Sequence, residues 1–257
     1  MPTALVTGAS TGIGRELAFI AAADGYDVVL AARTAEPLET VAAEIQRKTS
    51  RKSAIFPIDL SEPNAAHALT KSVSEAGLTV DVLINNAGFG LIGKFWELPE
   101  DEQVRMIELN IGALTQLTRL CLPAMVERRS GFILNVASTA AFQPGPLMSV
   151  YYASKAYVVS FSEAIHNEAK DFGVKVCCLC PGPTSTEFLK RAGMAETKLF
   201  KGSAMSAAEV AQIGWDAMRA GKSLVVAGAL NATIAFLTRF GPRQMMASIA
   251  RSLQETS

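Results

Sequence analysis

Seven short, predominantly apolar runs, alternating with segments of helical periodicity, fix what this chain can fold into. The runs lie at residues 4–7, 28–31, 54–58, 80–84, 131–136, 174–179 and 223–227. Helices are predicted between them, over residues 14–23, 36–48, 62–75, 100–127, 150–172 and 207–219. A strand with one wet face alternates apolar and polar side chains, whereas a strand apolar throughout is buried on both faces. Strands of this kind separated by helices predict an α/β protein, a doubly wound, seven-stranded parallel sheet with helices on both faces. No linker, repeat or low-complexity stretch interrupts the pattern in the 257 residues, so one domain over 1–257 is expected. Its last part, 229–257, reads as a helical extension, because Met245, Met246, Ile249 and Leu253 recur at helical spacing.

Composition narrows the function classes. Lys+Arg and Asp+Glu stand at 24 each with no block of one sign, which argues against a nucleic-acid partner. Cys177, Cys178 and Cys180 share one strand-like run, where neighbours point to opposite faces, so no metal cluster is expected of them. Together with Cys121 they read as buried free thiols of a reducing compartment. No apolar run reaches the ~18 residues that a transmembrane segment needs. Met1-Pro2-Thr3 leads straight into the first strand without the features of a leader, and a cytoplasmic location is the expectation.

Open parallel sheets bind ligands beyond the carboxyl ends of their strands. The polar motifs fall there. Thr7-Gly8-Ala9-Ser10-Thr11-Gly12-Ile13-Gly14 joins the first strand to the first helix, a setting in which backbone N–H groups can approach a phosphate. Its spacing is Gly-x-x-x-Gly-x-Gly, not the commoner Gly-x-Gly-x-x-Gly. Asn85-Asn86-Ala87-Gly88 follows the fourth strand, and Ser138 follows the fifth. Tyr151-Tyr152-Ala153-Ser154-Lys155 opens the helix after that. Residues three and four apart share a helix face, so Lys155 neighbours both tyrosines. An ammonium there would lower a phenol's pKa and fit it for proton transfer near neutrality, and spacing alone leaves open which tyrosine is meant. Ser138 as a plain helix cap is the simpler alternative reading.

With these motifs in this order, the chain resembles the short-chain dehydrogenase/reductase family from about residue 3 to residue 226, nearly its whole length. The resemblance implies a Rossmann fold and an NAD(P)-dependent oxidoreductase. It gives Gly8, Ser10, Thr11, Gly12, Ile13 and Gly14 the pyrophosphate and adjacent ribose. Asp59 would meet the adenine, Asn86, Ala87 and Gly88 would line that pocket, and Pro181, Gly182, Thr184 and Thr186 would meet the nicotinamide carboxamide and phosphates. Ser138 would orient a substrate carbonyl, Tyr151 would carry the proton, and Lys155 would hold the ribose and depress the tyrosine pKa. Asn110 would support a water-linked proton relay. The resemblance thus selects Tyr151 over Tyr152.

Cofactor preference follows from charge. An acid ending the second strand would accept from the ribose 2′-OH of NAD and repel a 2′-phosphate. The residues here are Leu30-Ala31-Ala32-Arg33, with no acid and a guanidinium suited to a phosphate, so NADP(H) is expected over NAD(H). Three loops should shape the substrate site: residues 89–91, 139–148 and 185–203. They supply Phe89, Phe142, Leu147, Met148, Phe188, Leu189, Leu199 and Phe200, which suit an apolar ketone, aldehyde or secondary alcohol of the 3-oxoacyl or steroid-like kind. The alternative is a nucleotide-binding regulator or scaffold without turnover. Loss of the tyrosine or the lysine would favour it, and both are present. His67 and His166 read as solvated helix residues. The helices at 100–127 and 150–172 resemble the pair through which family members associate, so the resemblance implies an oligomer, a homodimer first and a tetramer as the alternative; Met106, Ile107, Ala113, Leu114 and Leu117 also exceed one inward stripe. The tail beyond Gly228 is expected to fold back near the substrate cleft.

Overall fold

The structure, a computed structural model, describes residues 1–185 and 204–254. It contains the expected parallel sheet. In chain order the first part runs β1 (Thr3–Thr7), α1 (Gly12–Ala23), β2 (Asp27–Ala32), α2 (Ala35–Thr49), β3 (Ser53–Pro57), α3 (Ala65–Glu75) and β4 (Val80–Asn85). Then come α4 (Glu100–Ile107), a π-helical turn (Glu108–Ala113), α5 (Leu114–Glu127), β5 (Gly131–Val136), a 3-10 turn (Thr139–Phe142), α6 (Ser149–Ala169) and β6 (Val174–Cys180). Beyond lie β7 (Thr184–Ser185), β8 (Met205–Ser206), α7 (Ala207–Arg219), β9 (Leu224–Val226), α8 (Ala229–Leu237) and α9 (Arg243–Gln254). The strand order is β3-β2-β1-β4-β5-β6-β9, all parallel. The order reverses at β1 and β4, which puts the crevice beyond the ends of those two strands.

The predominantly apolar strands feed two cores, one on each face. Ala4 and Val6 of β1 join the core beneath α1, α2 and α7, while Leu5 between them joins the core beneath α3 and α5. The cysteines follow the same period of two. Cys177 enters the first core, and Cys178 and Cys180 point the other way toward α6. All four thiols are free and buried. Polar groups inside the layers are paired in a row: Asn85 donates to Asn135 (2.9 Å) and Thr118 (3.1 Å), and Asn135 donates to Ser162 (2.9 Å). That row ties β4, β5, α5 and α6 together just below the strand ends.

Several expectations need correction. The predicted single helix over 100–127 is three pieces, because one extra residue enters the ladder at 108–113 and widens a turn. Helix α3 starts at Ala65 and not 62, since Asp59 accepts from the Ser61 N–H (2.9 Å) and hydroxyl (2.6 Å) and holds a turn there. Met106, Ala113, Leu114 and Leu117 are buried within this chain and are not spare surface; of that set Ile107 alone is exposed. His166 is not simply solvated, for its Nδ1 lies 2.8 Å from the Val176 carbonyl. Among the described residues no helix is long and apolar enough to cross a membrane.

Candidate active site

One cavity of about 640 Å³ collects the carboxyl ends of the strands. Its lining takes Gly8 and residues 10–13 after β1, Arg33 after β2, Asp59 after β3, residues 86–90 after β4, Ser138 after β5 and residues 181–184 after β6. Tyr151, Tyr152 and Lys155 of α6 complete it from one side. The sequence-predicted residues are therefore brought together, apart from Gly14 and Asn110, which stand just behind the wall. Thr186 lies outside the described residues, as do Phe188, Leu189, Leu199 and Phe200.

The glycine turn is shaped by Asn86. Its amide donates to the carbonyls of Thr7 (3.0 Å) and Gly8 (3.2 Å), while the Thr7 hydroxyl accepts from the backbone of Asn86 and Ala87, each at 3.0 Å. The amide fills the space that side chains would need: a Cβ on Gly8 or Gly14 would stand 2.8 or 2.3 Å from Asn86 Nδ2. Gly8 also has φ +64°, the left-handed region. At the end of this turn Thr11 begins α1 without a side-chain cap, so among the described residues no hydroxyl or carboxylate claims the first N–H groups of the helix, whose start lines the cavity. That is a cradle for an anion, and it fits a dinucleotide pyrophosphate.

Arg33 is exposed at the rim near Asp59. Burial works to raise the Asp59 carboxyl, but the Ser61 hydroxyl and N–H, with the Arg105 and Arg33 guanidiniums, outweigh it and hold it below its ordinary value. Asp59 is thus both a turn-former and a wall of the cavity. Arg105, which sequence reasoning passed over, clamps it at 2.8 Å from α4.

At the other end Ser138 does cap a turn, and it also meets Tyr151. Its Oγ accepts from the Ala140 N–H (3.1 Å) to cap the 3-10 turn, and its hydroxyl shares a hydrogen bond with the Tyr151 phenol. Tyr151 is buried, and burial pushes its pKa up to about 12 despite the Ser138 hydrogen bond, with Tyr152 adding to the rise. The expected lowering by Lys155 is overturned. The ammonium stands 5.8 Å from the ring centroid and donates instead to the Val136 carbonyl (2.9 Å). Lys155 is itself 6% exposed, and burial lowers its pKa to about 8. At neutral pH the phenol is thus loaded with its proton and the lysine is mostly charged.

Asn110 sits in the π-helical turn, 1% exposed. Its amide donates to the Phe89 carbonyl and to Ser154 Oγ, each at 3.0 Å, and its Oδ1 accepts from the Phe89 N–H at 3.1 Å. Ser154 in turn donates to the Tyr151 carbonyl (2.7 Å). Asn110 therefore fixes the loop at Phe89 to the start of α6. Phe89 does line the cavity, but Phe142, Leu147 and Met148 do not. Their place is taken by the tail, from which Leu230, Asn231, Ile234, Ala235, Thr238 and Leu253 reach the lining.

A doubly wound sheet with an uncapped glycine turn, opening on a hydroxyl–phenol pair and a buried lysine, defines a dinucleotide-binding α/β protein of Rossmann type. The chain belongs to the short chain dehydrogenase family, whose match covers residues 2–197. It is 38% identical over 189 residues to the human 17-beta-hydroxysteroid dehydrogenase type 3, covering 73% of this chain and 60% of that one. To the very-long-chain 3-oxoacyl-CoA reductase of Phaeosphaeria nodorum it is 37% identical over 182 residues, 68% of this chain and 53% of the other. The chain thus spans about three-fifths of the length of the curated relatives it matches, or less. Among solved structures, a short-chain dehydrogenase from Sphingobium yanoikuyae in complex with NADPH superposes with TM-score 0.84 at 30% identity, covering 100% of this chain and 99% of that one.

Proposed function

We propose that this chain is an NADP(H)-dependent oxidoreductase acting on an apolar ketone or aldehyde, or on the corresponding secondary alcohol. The observation that carries the reading is the hydrogen-bonded Ser138–Tyr151 pair, set in the same cavity as the uncapped start of α1. The nucleotide cofactor supplies or accepts the hydride when bound. Residues 8–14 would hold its pyrophosphate, Arg33 a 2′-phosphate, Asp59 and residues 86–88 the adenine end, and Pro181, Gly182 and Thr184 the nicotinamide end. Ser138 orients the substrate carbonyl with its hydroxyl. Tyr151, protonated at neutral pH, donates from its phenol oxygen as the carbonyl oxygen gains charge. Lys155 contributes its charge and a ribose contact, and Asn110 keeps Phe89 and α6 in register. The names of the relatives, a hydroxysteroid dehydrogenase and a long-chain 3-oxoacyl reductase, support a large apolar substrate, and the NADPH of the Sphingobium protein supports the cofactor.

The same reading includes a homodimer. Val104, Ile107, Leu120 and Tyr157 stay exposed along α4, α5 and α6, and Tyr157 bridges α6 to α5 through Thr115 (2.9 Å), which makes one continuous outer face.

The test is NADPH consumption against carbonyls graded by chain length and polarity. Tyr151→Phe should abolish turnover while NADPH still binds. Wild-type protein that binds NADPH but reduces no carbonyl would favour a regulator instead. A Tyr152→Phe protein as dead as Tyr151→Phe would overturn the assignment of the proton donor.

A further inference from the structure

Tyr152 has no part in the proton transfer proposed above, yet its side chain is held from several directions. Its ring is edge-on to Tyr151, with centroids 6.1 Å apart. It lies so close over Gly145 that a Cβ there would fall 2.2 Å from a ring carbon. With the ring fixed, the hydroxyl direction is fixed. That hydroxyl accepts a 2.6 Å hydrogen bond from Gln254 Nε2, on the last turn of α9 and 102 residues away in sequence.

Gln254 is 1% exposed, and its Oε1 has no partner among the described residues. Among the described residues the contact with Tyr152 is therefore the one hydrogen bond that offsets burying that amide, and its loss would leave the group unpaired there. Leu230, Ile234, Phe236, Leu237, Phe240, Met245 and Ile249 are each at least 44% exposed, so apolar contact holds α8 and α9 only in part. Apolar contact is non-directional, whereas a hydrogen bond between two fixed groups sets a register.

What that register positions is a wall of the cavity. Leu230, Ile234 and Ala235 of α8, with Leu253 beside Gln254, line it, and α8 lies against the 3-10 turn that Ser138 caps. The tail thus lies beside the Ser138 turn, at the reacting end of the cavity. We infer that Tyr152 is a specificity-determining residue: by holding Gln254 it seats α9 and α8 as the apolar wall against a bulky substrate. The inference rests on the activity proposed above and adds to it the part of the chain that selects the substrate.

The experiment uses the full chain as wild type, Tyr152→Phe, Gln254→Leu and the double variant. Each is assayed with NADPH against butanone and against a tetralone, a fused-ring apolar ketone. Each single variant should lower the tetralone-to-butanone ratio of kcat/KM by about three- to tenfold, the effect of one net neutral hydrogen bond. The loss should fall in KM for tetralone, and the double variant should lose no more than either single one. Amide exchange over residues 243–254 should quicken in both single variants. Additive losses, an unchanged ratio or unchanged exchange would overturn the inference. A wild type that reduces neither ketone with NADPH or NADH would sink the activity reading instead. Calorimetric tetralone affinity would then decide the latch, weaker binding by Tyr152→Phe supporting it and equal binding overturning it.

Discussion

Lys155 is the buried group whose removal gives the sharpest test of the site's electrostatics. Its side chain is almost wholly enclosed, it donates to the Val136 carbonyl, and burial brings its pKa down from 10.5 to about 8. The folded state therefore binds fewer protons than the unfolded chain between about pH 8 and 10.5, and wild-type stability should rise as pH climbs through that window. A shift of that size corresponds to a cost of about 3 kcal/mol at pH 7, falling to about 1.4 kcal/mol at pH 9.5. Lys155→Met fills much the same volume and carries no charge. It forfeits the hydrogen bond to Val136, worth about 1–2 kcal/mol, so at pH 7 the variant should be as stable as wild type or more so. The advantage over wild type should shrink by about 2 kcal/mol on going to pH 9.5. Urea unfolding of both proteins at the two pH values measures this, because every other titrating group cancels in the difference. A gap that stays constant within about 0.5 kcal/mol would refute the argument, since it would mean that Lys155 does not titrate in this range. A more stable protein with lost turnover would also show that the charge is kept for function at the expense of stability.

Three other outcomes are expected. Ala32→Asp with Arg33→Ala should shift cofactor preference from NADPH to NADH by at least tenfold, about 1.4 kcal/mol, in steady-state kcat/KM; a wild type that already prefers NADH would dispose of the role given to Arg33. The reductive reaction should hold steady from pH 6 to about 7.5 and fall as Lys155 loses its proton through about pH 8, because Tyr151 stays protonated until about pH 12. A fall that begins only above pH 9 would contradict this order. Light scattering should find a species near twice 27.3 kDa at micromolar concentration, and Ile107→Lys should bring it to monomer size.

The sheet was legible because burial on both faces leaves successive residues apolar in the middle of β1 (Ala4 to Val6), β4 (Val82 to Ile84) and β6 (Val176 to Cys180), and a pattern of that kind is local. The motifs at the strand ends were legible for the same reason: Gly8, Asn86 and Ser138 each follow directly on a strand whose end the sequence marks. Features that depend on distance along the chain were not. The π-helical turn adds one residue to a ladder without changing the apolar pattern around it, so Asn110 reads as mid-helix. The direction of the Tyr151 shift depends on burial by the 3-10 turn and neighbouring groups, whereas a helical wheel offers only the lysine. The tail reads as apolar, but nothing local says that Leu253 and Ile234, and not Phe142 or Met148, form the cavity wall. Arg105 illustrates the same limit, for its partner Asp59 lies 46 residues away.

The tail also meets the cavity at Gly182, which follows β6 and lines it. A Cβ on Gly182 would stand 2.3 Å from Nδ2, 2.6 Å from Cγ and 2.8 Å from Oδ1 of Asn231, in the first turn of α8. Asn231 cannot easily step aside, because its amide donates to the Ala227 carbonyl at 2.7 Å and is thereby tied to the end of β9. Gly182→Ala should then overpack the contact and cost about 1–3 kcal/mol. Asn231→Ala alone gives up one hydrogen bond and should cost about 1 kcal/mol. In the double variant the alanine at 182 meets open space, so its cost should fall below the sum of the single changes by at least 1 kcal/mol. If Gly182 matters only for the backbone of its own turn, the two costs will add, and the tail will prove to be a neighbour of the nicotinamide loop and not part of its support.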